Sequence, residues 1–358
     1  MRKDIGEIDE NLKVSGEICE PDLQWYDCRR APFQLYGLYR PQEGTFKRLP
    51  DQVAAETSEG VAALYQNTAG GRLRFSTTSN YVAIRAEMPA ICRFSHMPLC
   101  GTSGFDLYLE KDGNSSFVNI FRPPVDMENG YQAICYFPDN RKRSLTINFP
   151  LYNDVDNLWI GLQKDAFIGE GSAYRPQKPV LYYGSSITQG GCATRPGNCY
   201  EAILSRWFNW DYFNFGFSGS ARAEAGLIRY LASLDSSVFV CDYDHNAPTV
   251  EYLEKTHLPM YEIIREAKPD LPVILVSKPN FDPDSREDAL RRNVIMTTYQ
   301  RALINGDQHI YFVDGQSLFQ GYERDCCTVD TVHPNDLGFV RMAEALGVVL
   351  EKLINQGV

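Results

Sequence analysis

The chain of 358 residues has no uninterrupted apolar run long enough to cross a bilayer as a helix. It has no basic excess either. Thirty-five Lys and Arg face 46 Asp and Glu, and the net charge of −11 argues against a nucleic-acid polyanion or an anionic membrane as main partner. Its ten cysteines include no Cys-x-x-Cys pair, and Cys326 and Cys327 are adjacent, so no structural metal is expected and the thiols read as reduced. No Gly-x-Gly-x-x-Gly or phosphate-cradling Gly-rich loop follows any apolar run, so no nucleotide or other cofactor is expected. Internal repeats and low-complexity tracts are absent. After Met1-Arg2-Lys3-Asp4 no apolar core follows, so no signal peptide is expected, and the compartment predicted is cytoplasmic.

What is present falls into two rhythms. Between about Gly70 and Pro150, short alternating runs recur: Arg72–Phe75, Tyr81–Ala86, Phe105–Leu109 and Leu145–Phe149. Period-two alternation between Gly, Asn and Asp predicts antiparallel strands of a β-sandwich, with a hairpin turn at Lys111-Asp112-Gly113-Asn114. Beyond Pro176 compact apolar runs appear at Pro179–Tyr183, Asp211–Phe215, Val238–Cys241, Pro272–Val276 and Ile310–Val313. Amphipathic stretches separate them, at Tyr200–Trp207, Thr249–Ala267, Glu287–Ile304 and Asp336–Ile354. Strands apolar on both sides belong in a parallel sheet covered by helices. The fold expected is α/β: a three-layer α/β/α domain with a parallel five-stranded sheet, residues 169–358, after an antiparallel sandwich, residues 1–168.

The chemistry-bearing residues gather where those strands end. Ligands of open α/β sheets collect at the carboxyl ends of strands. Ser186 follows the first strand in Gly184-Ser185-Ser186-Ile187-Thr188. Gly219 follows the second in Asn214-Phe215-Gly216-Phe217-Ser218-Gly219, and Asn246 follows the third in Asp242-Tyr243-Asp244-His245-Asn246. His333 lies beyond the fifth, with Asp330 three residues before it. A serine at a sharp strand-to-helix turn is presented as a nucleophile, and an imidazole with a carboxylate can activate it.

These four blocks, in this order from about Lys178 onward, resemble the signature blocks of the SGNH (GDSL-type) hydrolases. The sandwich in front is similar to a subgroup with an N-terminal jelly-roll-like domain, which includes carbohydrate esterases and acyltransferases. Two positions depart from the pattern: Ser185 stands where Asp is usual, and Asp244 and Ala247 flank the Asn block where Gly and Asp are typical. The resemblance implies Ser186 as nucleophile, His333 as base and Asp330 as its orienting acid. It also implies an oxyanion hole from the backbone N–H groups of Ser186 and Gly219 with the side-chain amide of Asn246.

Among the remaining candidates, His245, Lys278 and His96 are read as substrate contacts, although Lys278, like Arg195, is expected first of all as a solvated surface charge. His257 and His309 read as structural. Asp242 and Asp244 lack a third ligand, so no metal is expected. Trp25, Tyr26, Tyr36 and Tyr39 are possible platforms for a sugar face. The reading implied is a serine esterase acting on short acyl esters, acetyl above all, of a small molecule or oligosaccharide, without nucleic-acid or membrane partners. An acyltransferase using the same acyl-enzyme and a non-catalytic binding protein are the alternatives.

Overall fold

A computed structural model describes residues 5–9, 14, 17–280, 282 and 284–358. Residues 1–4, where the absence of a leader was read, lie outside these. The N-terminal strands are β1 (Leu23–Asp27), β2 (Gln34–Tyr36), β3 (Arg72–Thr77), β4 (Tyr81–Glu87), β5 (Phe105–Lys111), β6 (Asn114–Phe121), β7 (Gly130–Tyr136), β8 (Arg143–Asn148), β9 (Asn157–Gln163) and β10 (Ile168–Gly169). They form two antiparallel sheets, ordered β1-β9-β4-β7 and β10-β3-β8-β5-β6, with β2 also on β3. Alternation puts Leu73, Phe75, Leu107, Leu145 and Ile147 of one sheet against Val82, Ile84, Leu158 and Ile160 of the other, a shared core without exposed members. The hairpin between β5 and β6 turns at Asp112 and Gly113, both with positive φ (52° and 78°), the backbone a two-residue turn of this hand demands.

The C-terminal strands are β11 (Val180–Gly184), β12 (Tyr212–Gly216), β13 (Val238–Asp242), β14 (Val273–Val276) and β15 (Ile310–Val313). All pair in parallel, in the order β12-β11-β13-β14-β15. The strand pleat sorts their side chains. Val180, Tyr182, Val238, Val240, Ile274 and Val276 pack beneath the helices Tyr200–Phe208 and Asp336–Asn355. Leu181, Tyr183, Phe239, Cys241, Val273 and Leu275 face the helices Ala225–Ser233, Val250–Ala267 and Arg286–Ile304. The expected three-layer domain and sandwich are both present.

A division at 168/169 passes through β10, because Gly169 still pairs with Ser76 of the sandwich. The helices Asp51–Thr57 and Glu59–Leu64 escaped the sequence because each is too short to show a 3.6-residue period. The last helix is capped by Asn335, whose side chain accepts from Leu337 and Gly338 N–H (3.0 and 3.2 Å). Asp336, the next residue, accepts from the Thr194 N–H at 2.9 Å.

The sandwich is pinned to the α/β layers by buried arginines. Arg48, 1 % exposed, donates to the carbonyls of Asn67 (2.7 Å), Leu64 (2.8 Å), Gly216 (2.6 Å) and Asn214 (3.2 Å). Arg72 pairs with Asp211 and donates to the Tyr212 carbonyl. Arg195, read as a solvated charge, is such a pin too: it meets the fully buried Asp106 at 2.9 Å and lies over the Phe117 ring. Gly216 closes β12, so these contacts position the loops at the carboxyl rim of the sheet.

Candidate active site

β11 ends at Gly184, and Ser185 starts a single helical turn, Ser186–Gln189, by accepting the Ile187 N–H on its Oγ (3.2 Å). A serine does at this position the capping that the usual aspartate would do. The sharp turn leaves Ser186 slightly exposed, at 7 %, at the strand end. Its Oγ lies 2.9 Å from His333 Nε2, and His333 Nδ1 lies 2.7 Å from Asp330 Oδ2. That geometry assigns the ring's proton to Nδ1, donated to the carboxylate, and leaves the Nε2 lone pair to receive the serine hydroxyl.

Asp330 is itself held. Its Oδ1 accepts the backbone N–H groups of His333 (2.8 Å) and Val332 (3.1 Å), forming a tight turn in which Thr331 takes a left-handed φ of 70°. Asn280 donates to the Thr331 carbonyl at 2.6 Å, fixing the turn from the β14 side. Burial pushes the Asp330 carboxyl up, but the hydrogen bonds from His333 and Val332 outweigh it and keep it below the ordinary carboxylate value. The acid therefore stays anionic beside the imidazole at neutral pH.

Space is tight at Gly191. A Cβ there would stand 3.0 Å from the Ser186 carbonyl oxygen and Tyr152 Oη, and 3.2 Å from His333 Cδ2. The bare backbone lets the imidazole close on the serine. Gly219, with φ of 64°, sits in open space at the tip of the loop after β12. Among the described residues, neither the Ser186 nor the Gly219 backbone N–H has a hydrogen-bond partner.

Asn246 departs from the expected free amide. Its Nδ2 donates to the Phe217 and Ala221 carbonyls, at 2.9 and 3.0 Å, so both hydrogens are engaged within the Gly219 loop. In this arrangement Asn246 shapes the loop, and it meets a substrate oxygen only by exchanging one of those bonds. Gln189 holds the same loop from below. It accepts the Ser218 N–H at 3.0 Å and donates to Asn67 Oδ1 of the sandwich at 3.0 Å. Nothing in its spacing marks Gln189, whose role arises only from the contact between domains.

The three candidate substrate contacts are distributed differently. His96 projects from a tight turn closed by a bridge between Phe94 and Met97, and its ring centroid lies 5.6 Å from that of His333. His245 is a neutral ring at ordinary pH: burial first, then Lys278, His333 and Arg291, lower its pKa to about 3. Its Nε2 is buried without a partner among the described residues. Lys278 is half-buried and paired with Asp288 at 2.6 Å, not freely solvated. His245 and Lys278 line a polar cavity of about 430 Å³, with Asp288, Arg291 and Thr331 on its wall. A larger cavity, about 530 Å³, lies by Tyr261 and His309 at the amino ends of the strands, on the far rim from Ser186.

Other readings resolve as packing. His257 is buried and bonded through Nδ1 to Thr298 (2.8 Å). Asp244 is tied to Arg291 and accepts the Lys278 N–H at 3.0 Å, while Asp242 is buried and pushed well above the carboxylate range by that burial. Arg85 covers the Trp25 and Trp159 rings (5.0 and 4.4 Å), and Tyr36 packs edge-on to Tyr174, so these aromatics are engaged internally.

Residues 177–351 match the GDSL-like lipase/acylhydrolase family, and residues 23–168 match the N-terminal domain of SGNH-hydrolase-type esterases. A structure from Bacteroides ovatus ATCC 8483 described as a GDSL-like lipase superposes with a TM-score of 0.84 at 25 % identity, covering 93 % of this chain and 98 % of that one. The salicylyl-acyltransferase SsfX3 from a tetracycline biosynthetic pathway shares the fold at 18 % identity (TM-score 0.73, 91 % and 96 % covered). So does a family two carbohydrate esterase from Clostridium thermocellum, seen with cellohexaose, at 13 % identity (TM-score 0.58, 80 % and 93 % covered). No curated protein sequence matches the chain. With both of its parts matched and the rim of the sheet built as described, the chain joins a GDSL-like lipase/acylhydrolase domain to the N-terminal domain of SGNH-hydrolase-type esterases, the make-up of a carboxylic ester hydrolase.

Proposed function

We propose that the chain removes acetyl or another short acyl group from a hydroxyl of a carbohydrate, through an acyl-enzyme on Ser186. The observation that carries the chemistry is the continuous chain of contacts from Ser186 Oγ through His333 to Asp330, at 2.9 and 2.7 Å. Ser186 attacks the ester carbonyl and passes its proton to His333 Nε2. The imidazolium so formed is stabilised by the anionic Asp330. The unpartnered N–H groups of Ser186 and Gly219 receive the developing oxyanion, each donor of this kind supporting about 2.7–4 kcal/mol. Collapse returns the His333 proton to the departing alcohol. Water then attacks the acyl-serine, with His333 again taking the proton, and the free acid leaves.

The sugar side of the proposal rests on two supports. The cavity beside Thr331 is lined by hydrogen-bonding and charged groups, which suit a hydroxyl-rich acyl carrier better than an alkyl chain. Structural neighbours of the same two-part architecture include a carbohydrate esterase with cellohexaose and an acetyl xylan esterase from Butyrivibrio proteoclasticus. The unpaired state of all ten cysteines supports a reducing, cytoplasmic setting.

The test is a mass-spectrometric deacylation screen over acetylated oligosaccharides, with Ser186→Ala as control and added alcohols as competing acceptors. Loss of acetyl from sugars by the wild type alone supports the proposal. Efficient cleavage of aryl or lipid esters with sugars untouched removes the carbohydrate assignment. Preferential transfer to the added alcohol, rather than water, makes the chain an acyltransferase.

A further inference from the structure

We propose that His96, Cys192 and His333 form an inhibitory site for a soft divalent cation, zinc above all, across the seam between the two domains. One donor atom from each of the three residues lies within 4.8 Å of the other two. Zinc bonds to nitrogen and sulfur run about 2.0–2.3 Å, which sets tetrahedral donors roughly 3.3–3.8 Å apart. Closing the remaining ångström falls to His96, which is exposed on its Phe94–Met97 turn.

The setting is prepared in three ways. Cys192 takes a left-handed φ of 73°, rare for a residue with a side chain, directly after the Gly190-Gly191 pair that brings the backbone under His333. Its N–H donates to Met97 Sδ at 3.4 Å, so the His96 turn is stitched to Cys192 before any ion arrives. Asp330, 2.7 Å from His333 Nδ1, already fills the place of the carboxylate that supports zinc-bound histidines from behind. With Nδ1 so occupied, His333 offers Nε2. Two imidazoles and a thiolate select zinc over magnesium or calcium, and three protein ligands leave one position open.

On binding, the cation replaces the Cys192 thiol proton, which passes to solvent, and takes the Nε2 lone pair that otherwise receives the Ser186 proton. The serine keeps its hydroxyl and cannot attack. The binding half of this inference stands on the three donors alone; the inhibition half rests on the proposed esterase chemistry.

Zinc titration calorimetry on the reduced protein separates the two. Wild type and Cys326→Ser bind one tight equivalent, the latter controlling for the exposed Glu323–Asp325–Cys326 cluster. Cys192→Ser and His96→Gln each weaken that equivalent at least tenfold, and magnesium gives no heat. Hydrolysis of p-nitrophenyl acetate by the wild type falls over the same zinc range. Because His96 is exposed, His96→Gln keeps the fold and decides the matter even if Cys192→Ser does not. Equal affinity in wild type and His96→Gln, or no stoichiometric binding by the wild type, overturns the site. Tight binding without loss of hydrolysis overturns its inhibitory role, and the calorimetry still reads if no ester is turned over.

Discussion

Ser186 Oγ and His333 Nε2 stand 2.9 Å apart although 147 positions separate the two residues in the chain. Ser186 is carried by the turn after β11, and His333 by the turn that Asp330 and Asn280 hold between β15 and the last helix. The parallel sheet delivers both to one rim, and a bare backbone at Gly191 allows the final approach.

That approach gives the first prediction. Gly191→Ala places a methyl against the His333 ring and the Ser186 carbonyl, which must give way by a few tenths of an ångström. The kcat for p-nitrophenyl acetate is expected to fall about 100-fold with the circular dichroism spectrum unchanged. An unaltered kcat would mean the ring can be reseated at no cost.

The pinning arginine gives the second. Burial lowers the Arg48 pKa to about 9, so the guanidinium is still charged at neutral pH while it holds four carbonyls. Arg48→Met leaves those acceptors unpaired in the interior, and a loss of at least about 3 kcal/mol of unfolding free energy is expected from urea denaturation. Activity should fall as well, because Gly216 and Asn214 belong to the strand that ends in the Gly219 loop. A change below about 1 kcal/mol would show that water replaces the guanidinium.

The legibility of the chain divides along physical lines. The parallel strands were readable because each is a compact apolar run buried on both faces. Ser186, Gly219, Asn246, Asp330 and His333 could be singled out because each falls just after such a run or in a short local motif. Gln189, Gly191 and Arg48 were not, since their work depends on contacts with distant segments that leave no periodic trace. The amide of Asn246 shows the limit most clearly: its position was legible, but its partners, the carbonyls of Phe217 and Ala221, depend on how the loop after β12 folds back. Arg195 was misjudged for the same reason, because its counter-ion Asp106 belongs to the other domain.

The buried histidine gives a pH prediction. Burial depresses the His257 pKa from 6.5 to about 3, so the folded state leaves the ring neutral where the unfolded chain would protonate it. Its contribution to stability is full above pH 6.5 and is lost progressively as pH falls from there toward 3. The stability lost on His257→Gln, measured by urea unfolding, should therefore be larger at about pH 7.5 than at about pH 5. A loss that is constant over this window would mean the folded protein lets the ring take up its proton as readily as the unfolded chain does.

The central claim is that Ser186 becomes acylated because His333 takes its proton. Rapid acid quench of the enzyme during p-nitrophenyl acetate turnover, followed by peptide mass spectrometry, tests it directly. One acetyl group per chain is expected on the peptide bearing Ser186, absent from Ser186→Ala and reduced at least about 1,000-fold in formation rate in His333→Ala. Acetyl on another residue, or turnover in Ser186→Ala equal to that of the wild type, would contradict it.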